Sequence, residues 1–346
     1  MTRCTAYMVA LTLGVSLLGA CNDDSAPTGP QAVEQAQAAP DFAVAANSWT
    51  KKAPVPTPRS SLTVGVANNS LGQPIVYAMG GIDEDIMVEF LTSKVEAYNA
   101  ATNTWTTKAP MPIGFFESNG VGLIGGKLYV PGGKTNGGDG TEWSPTLWAY
   151  STSSNTWAQK ADLPREVAGG ITGVISGKLY VLVGECNNCT HRISPRLYRY
   201  DPATNKWDTS LPWCPQGHER GAGGVINGKF YVAGGIGTNG ALTKQVHMYD
   251  PATNRWTAKA SLLSAFADGA GAVVSGKLYV VGGNTASRTL QAYNPATNAW
   301  ATKASMPTGR HDLGAAGYLL NGRAQVAAIA GGSSPAAYTA NEVYTP

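Results

Sequence analysis

From residue 45 onward, short apolar runs alternate with small and polar residues in a pattern that returns about every 50 residues. Apolar runs this short, bounded by Gly, Pro, Asn and Asp, are typical of β-strands. The pattern predicts a succession of strands that continues to the C-terminus. Two aromatic residues, seven positions apart, mark each repeat. The tryptophans are Trp49, Trp105, Trp157, Trp207, Trp256 and Trp300, and the last five follow Tyr98, Tyr150, Tyr200, Tyr249 and Tyr293.

A turn separates each tyrosine from its tryptophan. Residues 201–205 and 250–254 both read DPATN, residues 294–298 read NPATN, and residues 99–103 are a looser copy. Proline presets φ for a turn, and the final Asn tolerates the left-handed conformation. Each segment is therefore predicted to close a hairpin between a Tyr strand and a Trp strand.

Small residues mark two further strands in each repeat. An apolar run ends in a glycine pair in five repeats and in Val183-Gly184 in the third, and a strand of small residues precedes it, as at 168–171 and 221–224. A wedge-shaped sheet that narrows toward an axis needs small side chains on its innermost strand. Glycine inside a strand is explained by the same close approach of backbones. Each repeat thus supplies four strands. The glycine pairs are Gly80-Gly81, Gly132-Gly133, Gly234-Gly235, Gly282-Gly283 and Gly331-Gly332.

Glycine pair, Tyr and Trp in this fixed order resemble the kelch repeat, and the resemblance covers about 300 residues. It implies an all-β, six-bladed kelch-type β-propeller, in the superfamily that includes the central domain of galactose oxidase. The six glycine marks and six tryptophans are out of phase, because the chain ends after a Tyr strand and its repeats begin at Trp49. We expect an N-terminal outer strand, at residues of about 45–54, to close the last blade.

The N-terminal 20 residues predict the compartment. Residues 6–18 form an apolar run with the length of a signal-peptide core, too short to span a membrane. The run ends in Leu18-Gly19-Ala20-Cys21, which resembles the lipobox of bacterial lipoproteins and implies cleavage before Cys21 and lipidation of that residue. The alternative is an ordinary secretory signal with an incidental cysteine. The lipobox predicts an extracytoplasmic protein, lipid-anchored to a bacterial membrane at the periplasm or the cell surface.

Residues 21–44 contain almost no large apolar side chain, so they cannot bury enough surface to offset their ordering entropy. The predicted organisation is a lipoprotein signal peptide at 1–20, a flexible tether at 21–44 and the propeller at 45–346. Composition supports the all-β class, with 42 glycines, 21 prolines and 14% charged residues. The net charge is +3 and basic runs are absent from the sequence, so nucleic-acid binding is not expected.

Candidate binding residues follow from the topology. In an antiparallel blade, alternate connections fall on alternate faces, and the long loops 82–93, 134–146, 185–196 and 236–243 belong to one set. We name the face that carries them the long-loop face, and loops on a rigid scaffold are where binding is expected. The candidate ligand-binding residues are those of the long loops and those that lead into the central funnel: Arg59, Phe115, Glu117, Trp143, Arg220, Asp268, Arg310 and Asp312.

Aromatic rings beside carboxylates and arginines suit a sugar, whose C–H face stacks while its hydroxyls take hydrogen bonds. The alternative is that these charged residues pair with each other and join the blades.

Three cysteines fall in the predicted propeller. An oxidising compartment favours a disulfide between Cys186 and Cys189, which are close in sequence. The alternative is a zinc set in which these two residues, Cys214 and His218 are the ligands. His247 lies in a Tyr strand and is interpreted as a surface residue. No metal site and no cofactor is predicted.

The sequence favours a non-catalytic role, because it contains neither a recognisable nucleophile motif nor a phosphate-binding loop. The first hypothesis is a binding protein that recognises a carbohydrate or a protein ligand through the long-loop face, and contacts the membrane only through its lipid anchor. The second is a carbohydrate-active enzyme similar to a periplasmic sialic acid epimerase, a kelch-type propeller, which would use Glu117, Arg220 and Asp268. The third is a structural scaffold of the envelope. Fold similarity alone does not decide among them.

Overall fold

A computed structural model describes residues 45–84, 90–118, 120–137, 140–187, 189 and 192–346. Six antiparallel sheets of four strands each follow one another along the chain. The first strands of successive sheets contact each other in turn, and the first strand of the sixth sheet contacts that of the first. The predicted all-β, six-bladed propeller is therefore confirmed.

Each blade runs outward from its first strand, here called the inner strand. Blade 1 consists of Thr63–Asn68, Pro74–Met79, Val95–Asn99 and Thr104–Lys108, and blade 2 of Gly122–Ile124, Lys127–Pro131, Leu147–Ser151 and Thr156–Lys160. Blade 3 consists of Ile171–Ile175, Lys178–Leu182, Leu197–Asp201 and Lys206–Asp208, and blade 4 of Ala222–Ile226, Lys229–Ala233, Val246–Asp250 and Arg255–Lys259. Blade 5 consists of Gly269–Val274, Lys277–Gly282, Leu290–Asn294 and Ala299–Thr302, and blade 6 of Gly314–Leu320, Arg323–Ile329, Asn341–Thr345 and Ser48–Lys51.

Short elements extend the long-loop face. Arg59–Ser60 pairs with Ile82–Asp83, which pairs with Phe90–Leu91; Lys134–Gly137 pairs with Gly140–Trp143; and Val167–Ala168 pairs with Glu185–Cys186. One helical turn, Pro335–Tyr338, lies between the second and third strands of blade 6. Among the described residues, no helix is long and apolar enough to cross a membrane.

The predicted outer strand closes the ring. Ser48–Lys51 pairs antiparallel with Asn341–Thr345, and Trp49 lies opposite Tyr344. The Tyr344 hydroxyl donates to the side-chain oxygen of Asn47, and the Trp49 indole donates to the carbonyl of Ala304 in the preceding blade. The first and last segments of the described chain thus build one blade, and the prediction of closure is confirmed.

The same set of hydrogen bonds recurs in all six blades. Each repeat tyrosine donates its hydroxyl to the Asn immediately before the outer strand of its own blade, over 2.7–2.9 Å. Each repeat tryptophan donates its indole N–H to a carbonyl of the preceding blade, over 2.7–3.0 Å. The Asn residues have φ near +55°, as Asn103 does at 56°, which is the conformation the turn pattern predicts.

Glycines allow the blades to approach each other. A Cβ added to Gly173, in the inner strand of blade 3, would lie 2.7 Å from Phe230 and 2.8 Å from Val225 of blade 4. Gly80 has φ +62°, and a Cβ there would lie 2.5 Å from the carbonyl oxygen of Phe115. These two positions explain why small residues recur on the inner strands and at the strand ends.

The predicted signal peptide, the tether and Cys21 lie outside the described residues, and they remain predictions.

Candidate functional site

Six residues, each one to five positions before an inner strand, form a closed ring around the axis. All six have left-handed backbone conformations, with φ between 48° and 63°. The backbone N–H of each donates to the carbonyl of its counterpart in the preceding repeat, and the six bonds measure 2.6–3.1 Å. Left-handed conformations are uncommon outside glycine and tend to occur where the surrounding structure enforces them. We call these the ring residues: Ser61, Glu117, Gly169, Arg220, Asp268 and Asp312.

The ring residues surround a central funnel of about 540 Å³. Gly, Ala, Val and Thr of the inner strands form its wall, and the ring residues bring most of its polar groups. The lining residues that the structure describes include three carboxylates, on Glu117, Asp268 and Asp312, and one guanidinium, on Arg220. The funnel is therefore polar at the ring and has an excess of negative charge there.

Arg220 organises the carboxylates across the funnel. Its guanidinium lies 2.6 Å from a carboxylate oxygen of Glu117 and 3.1 Å from one of Asp268. Burial disfavours the charged guanidinium, but the carboxylates of Glu117 and Asp268 outweigh that effect and raise the pKa of Arg220. The guanidinium stays charged and is already paired with two acids.

Lys134 extends this network toward the long loops. Its ammonium lies 2.7 Å from a carboxylate oxygen of Glu117 and 2.7 Å from one of Glu185, which also pairs with Arg192. Burial lowers the pKa of Lys134, but the two carboxylates raise it by more. Burial raises the pKa of Glu185, and the hydrogen bond from Lys134 leads the effects that lower it overall. Both groups are therefore ionised at neutral pH.

Two acids near the funnel hold protons more readily than usual. Burial raises the pKa of Asp312, and the neighbouring Asp268 adds to this effect. His311 lies 2.8 Å from the Asp312 carboxylate and partly offsets the increase. Burial also raises the pKa of Glu219, with a further contribution from Glu185.

Four of the eight predicted ligand-binding residues line the funnel together. These are Glu117, Arg220, Asp268 and Asp312, all of them ring residues. Each side chain is partly exposed, between 13% and 31%. They are therefore the predicted residues that a ligand in the funnel would contact.

Arg59, Phe115 and Arg310 are placed differently from the prediction. Their side chains are buried, with relative exposures of 0%, 2% and 0%. Each lies two residues before a ring residue, so the chain directs it into the interior before the left-handed turn brings the ring residue to the funnel. None of the three is accessible to a ligand.

The two buried arginines form ion pairs with glutamates of the third strands. Arg59 lies 2.6 Å from Glu96, and Arg310 lies 2.9 Å from Glu342. Burial lowers the pKa of Arg310 to about 10, with Glu342 partly offsetting this effect. For these two residues the alternative interpretation, that charged residues join structural elements, agrees with the structure.

Trp143 lies beside the funnel network rather than in the funnel. It ends the hairpin of Lys134–Gly137 and Gly140–Trp143, and the Lys134 ammonium lies 5.6 Å from the centre of its ring. The centre of the Phe116 ring lies 5.9 Å from the same ammonium. The two aromatic rings therefore shape the surroundings of Lys134, with the cation–π geometry that favours a charged amine.

The cysteines divide into a pair and a single thiol. Cys186 and Cys189 are joined by a disulfide, with their Cα atoms 5.6 Å apart, and Cys214 is free and buried. The four-ligand zinc set considered from the sequence is therefore not assembled. Cys214 lies instead with His218 and His247, whose candidate ligand atoms are all within 4.8 Å of one another. His247 is only 5% exposed, which corrects its interpretation as a surface residue.

Sequence reasoning missed Lys134, Glu185 and Glu219. Lys134 directly follows Gly132-Gly133, and Glu185 directly follows Val183-Gly184, so the position after the paired small residues was the available signal. Glu219 directly precedes a ring residue and turns toward the same network, 3.8 Å from Arg220.

Comparison with known proteins agrees with this architecture. Residues 76–337 match the family model of the Attractin/LZTR1 beta-propeller. The Kelch-like protein terF of Aspergillus terreus is 30% identical over 169 residues, which are 46% of this chain and 36% of that protein. Kelch-like protein 15 of Danio rerio is 29% identical over 211 residues, which are 56% of this chain and 33% of that protein. The chain thus spans about a third of the length of these curated relatives.

A solved structure, that of YjhT, shares the fold. The TM-score is 0.68 at 19% sequence identity, over 84% of this chain and 95% of YjhT. The blades, the closure by the outer strand and the family match agree, and the chain belongs to the kelch-type Attractin/LZTR1 beta-propeller family.

Proposed function

We propose that this protein is a lipid-anchored, extracytoplasmic binding protein whose funnel receives a basic side chain of a partner protein. The observation that carries the proposal is the charge of the funnel: three carboxylates and one arginine are among its described lining residues. Lys134 pairs with Glu117 from beside the funnel, and with it counted the three carboxylates still outnumber the cations by one. Arg220 is already paired with Glu117 and Asp268. Asp312 is exposed enough to be reached, with a quarter of its side chain accessible.

Electrostatic complementarity supports a cationic group in this funnel. A lysine or arginine of a partner would exchange water for carboxylates that are fixed in place by the ring. An acidic sugar would meet the same carboxylates, with Arg220 already paired. The geometry therefore supports an anionic ligand less than a cationic or neutral one.

The location outside the cytoplasm rests on the sequence of residues 1–44. The apolar run at 6–18 and the Leu18-Gly19-Ala20-Cys21 segment support it. The disulfide between Cys186 and Cys189 is compatible with an oxidising compartment.

A peptide library tests the proposed partner. The library holds peptides with one fixed central residue, Arg, Lys, Glu or Ser, among randomised neighbours, and a glycan array of neutral and acidic sugars is measured in parallel. We expect retention of Arg or Lys peptides, weakening as salt is raised and lost in the Asp268→Asn and Asp312→Asn double variant. Preferential retention of Glu peptides, or retention of sugars alone, would contradict the proposal.

A matched control removes the same type of charge from the other face. Asp250 lies at the turn between the third and fourth strands of blade 4, where it pairs with Lys229. Asn294 occupies the corresponding position in blade 5, so Asp250→Asn is compatible with the turn. This variant should retain wild-type peptide binding.

One observation favours a second candidate, a carbohydrate-active enzyme. Asp312 has a raised pKa and is a neighbour in the ring of Asp268, so two carboxyl groups in different surroundings share one funnel. Such pairs supply a general acid and a base in sugar chemistry. Incubation with a neutral saccharide that the array retains, followed by proton NMR, tests this candidate. A changed anomer or epimer would support the enzyme, and an unchanged bound sugar would support a binding role.

A further inference from the structure

Three equivalent positions in each repeat bring one set of side chains together. The first position lies six residues before the ring residue, and the second lies two residues before it. The third lies two residues before the repeat tyrosine. In blade 6 the set is Met306, Arg310 and Glu342, and the Arg310 guanidinium contacts both the sulfur of Met306 and the carboxylate of Glu342.

The set of blade 4 has a different chemistry. It consists of Cys214, His218 and His247, with relative exposures of 3%, 0% and 5%. The sets of the other blades are Val55, Arg59 and Glu96; Met111, Phe115 and Trp148; Leu163, Val167 and Tyr198; Leu262, Phe266 and Gln291; and Met306, Arg310 and Glu342. Of the six sets, only that of blade 4 consists entirely of side chains that bind soft or borderline metal ions.

The hydrogen bonds of blade 4 prepare the histidines as ligands. His218 Nδ1 lies 2.6 Å from the carbonyl oxygen of Gly234, which can only accept, so Nδ1 carries the proton and Nε2 presents a lone pair. That Nε2 lies 2.9 Å from Nδ1 of His247. Burial lowers the pKa of His218 to about 3 and lowers that of His247, so both rings are neutral at physiological pH.

We propose that Cys214, His218 and His247 form a Cu(I) site in blade 4. The ligands are the Cys214 sulfur, His218 Nε2 and His247 Nδ1, which all lie within 4.8 Å of one another. On binding, the thiol of Cys214 releases one proton to solvent, and the proton on His247 Nδ1 moves to Nε2. No electron is transferred in this step.

Charge and ligand number distinguish Cu(I) from zinc. A thiolate with Cu(I) is neutral overall, whereas a thiolate with Zn²⁺ leaves one positive charge in a buried site, and such a charge is costly without a partner. Structural zinc sites have four protein ligands, whereas the blade 4 set supplies three. Thiolate and imidazole are ligands that suit Cu(I).

Competition with bicinchoninate under anaerobic, reducing conditions tests the site on the full chain. We expect wild type to bind one more equivalent of Cu(I) than Cys214→Ser, with one proton released, and Cu(I) to raise the Tm of wild type by more than that of Cys214→Ser. Because the reductant also opens the disulfide and frees two more thiols, the Cys186→Ser and Cys189→Ser double variant is the control. It should still bind one equivalent of Cu(I) that the same variant carrying Cys214→Ser does not bind.

X-ray absorption of the Cu(I)-loaded control variant provides a readout that does not depend on folding of a ligand variant. One sulfur and two nitrogen neighbours are expected. Undiminished Cu(I) binding by Cys214→Ser, loss of binding in the double variant, or a first shell of sulfur alone would overturn the proposal. Binding of Zn²⁺ that Cu(I) fails to displace would overturn it as well.

Discussion

At the scale of the residue, position in the repeat decides whether a charged side chain serves the fold or the funnel. Arg310 is buried against Glu342, whereas Asp312, two residues later, has a left-handed φ of 52° and lines the funnel. The sequence identifies both as charged residues near the axis, and half of the predicted binding set lines the funnel. The other members could not be separated from them because the left-handed ring is a tertiary feature, enforced by hydrogen bonds between distant repeats.

The Arg310–Glu342 pair offers a direct test of this distinction. Arg310→Ala leaves a buried carboxylate without its partner and should reduce the free energy of unfolding by about 3–5 kcal/mol. The double variant Arg310→Phe with Glu342→Gln copies the side chains of Phe266 and Gln291 in blade 5. Its free energy of unfolding should decrease by less than that of Arg310→Ala. Urea unfolding measures both. An equal decrease in the free energy of unfolding in both variants would show that an unpaired Glu342 carboxylate is not the cause of the loss.

Buried His218 predicts that stability decreases in acid. Burial lowers its pKa from 6.5 to about 3, so below pH 6.5 the unfolded chain binds a proton that the folded chain does not. Its contribution to stability is therefore complete above pH 6.5 and decreases as the pH falls toward 3.

Urea unfolding in metal-free buffer at pH 7 and pH 5 measures this effect. His218 should account for a loss of about 2 kcal/mol between these pH values. His218→Phe copies Phe115 and Phe266 at the same position. Between pH 7 and pH 5, the free energy of unfolding of this variant should fall by about 2 kcal/mol less than that of wild type. The same pH dependence in wild type and variant would refute the assignment.

At the scale of the element, the repeat made the strands predictable. Tyr, Asn and Trp make the same hydrogen bonds in all six blades, so the signal recurs and can be read without a structure. The long loops carry no such repeat. The sequence of the loop that brings Lys134 to Glu117 does not recur in the other repeats, which is why sequence reasoning missed that contact.

The N-terminal outer strand predicts the effect of a truncation. Deleting residues 45–54 removes the strand Ser48–Lys51 and the Trp49 indole contact, and it removes Ala53, whose backbone joins Trp105 of blade 1 to Asn341 of blade 6. The ring would therefore open between blades 6 and 1. We expect a marked decrease in Tm by circular dichroism. Deleting residues 22–44 instead, as a control, should leave the Tm unchanged. A wild-type Tm after removal of residues 45–54 would contradict the role of this strand.

At the scale of the whole molecule, the fold gathers chemistry that is spread along the chain. Glu117 and Arg220 are 103 residues apart in sequence, yet their side chains meet at 2.6 Å in the funnel. The number of blades and their closure follow from the repeat, whereas the ligand does not, because it depends on the charges that the ring assembles. The predicted anchor would hold this funnel at a membrane surface.

Cys21→Ser tests the anchor. In a bacterial host, we expect the wild-type protein in the membrane fraction with a lipid mass on its N-terminal residue, and the variant released from the membrane. Fractionation and mass spectrometry of the mature N-terminus measure both. Unmodified Cys21 in a wild-type protein that is not membrane-bound would favour the ordinary secretory signal.

Chemical blocking of the funnel tests the central claim, that the funnel is the binding site. Ser61→Cys places a thiol on the ring, and Ser153→Cys places one on an exposed turn of the opposite face. Each variant is labelled with a bulky thiol reagent, and the Kd of the tightest Arg or Lys peptide from the library is measured before and after labelling. We predict an affinity at least tenfold weaker for labelled Ser61→Cys and an unchanged affinity for labelled Ser153→Cys. Unchanged binding by labelled Ser61→Cys would show that the partner binds elsewhere.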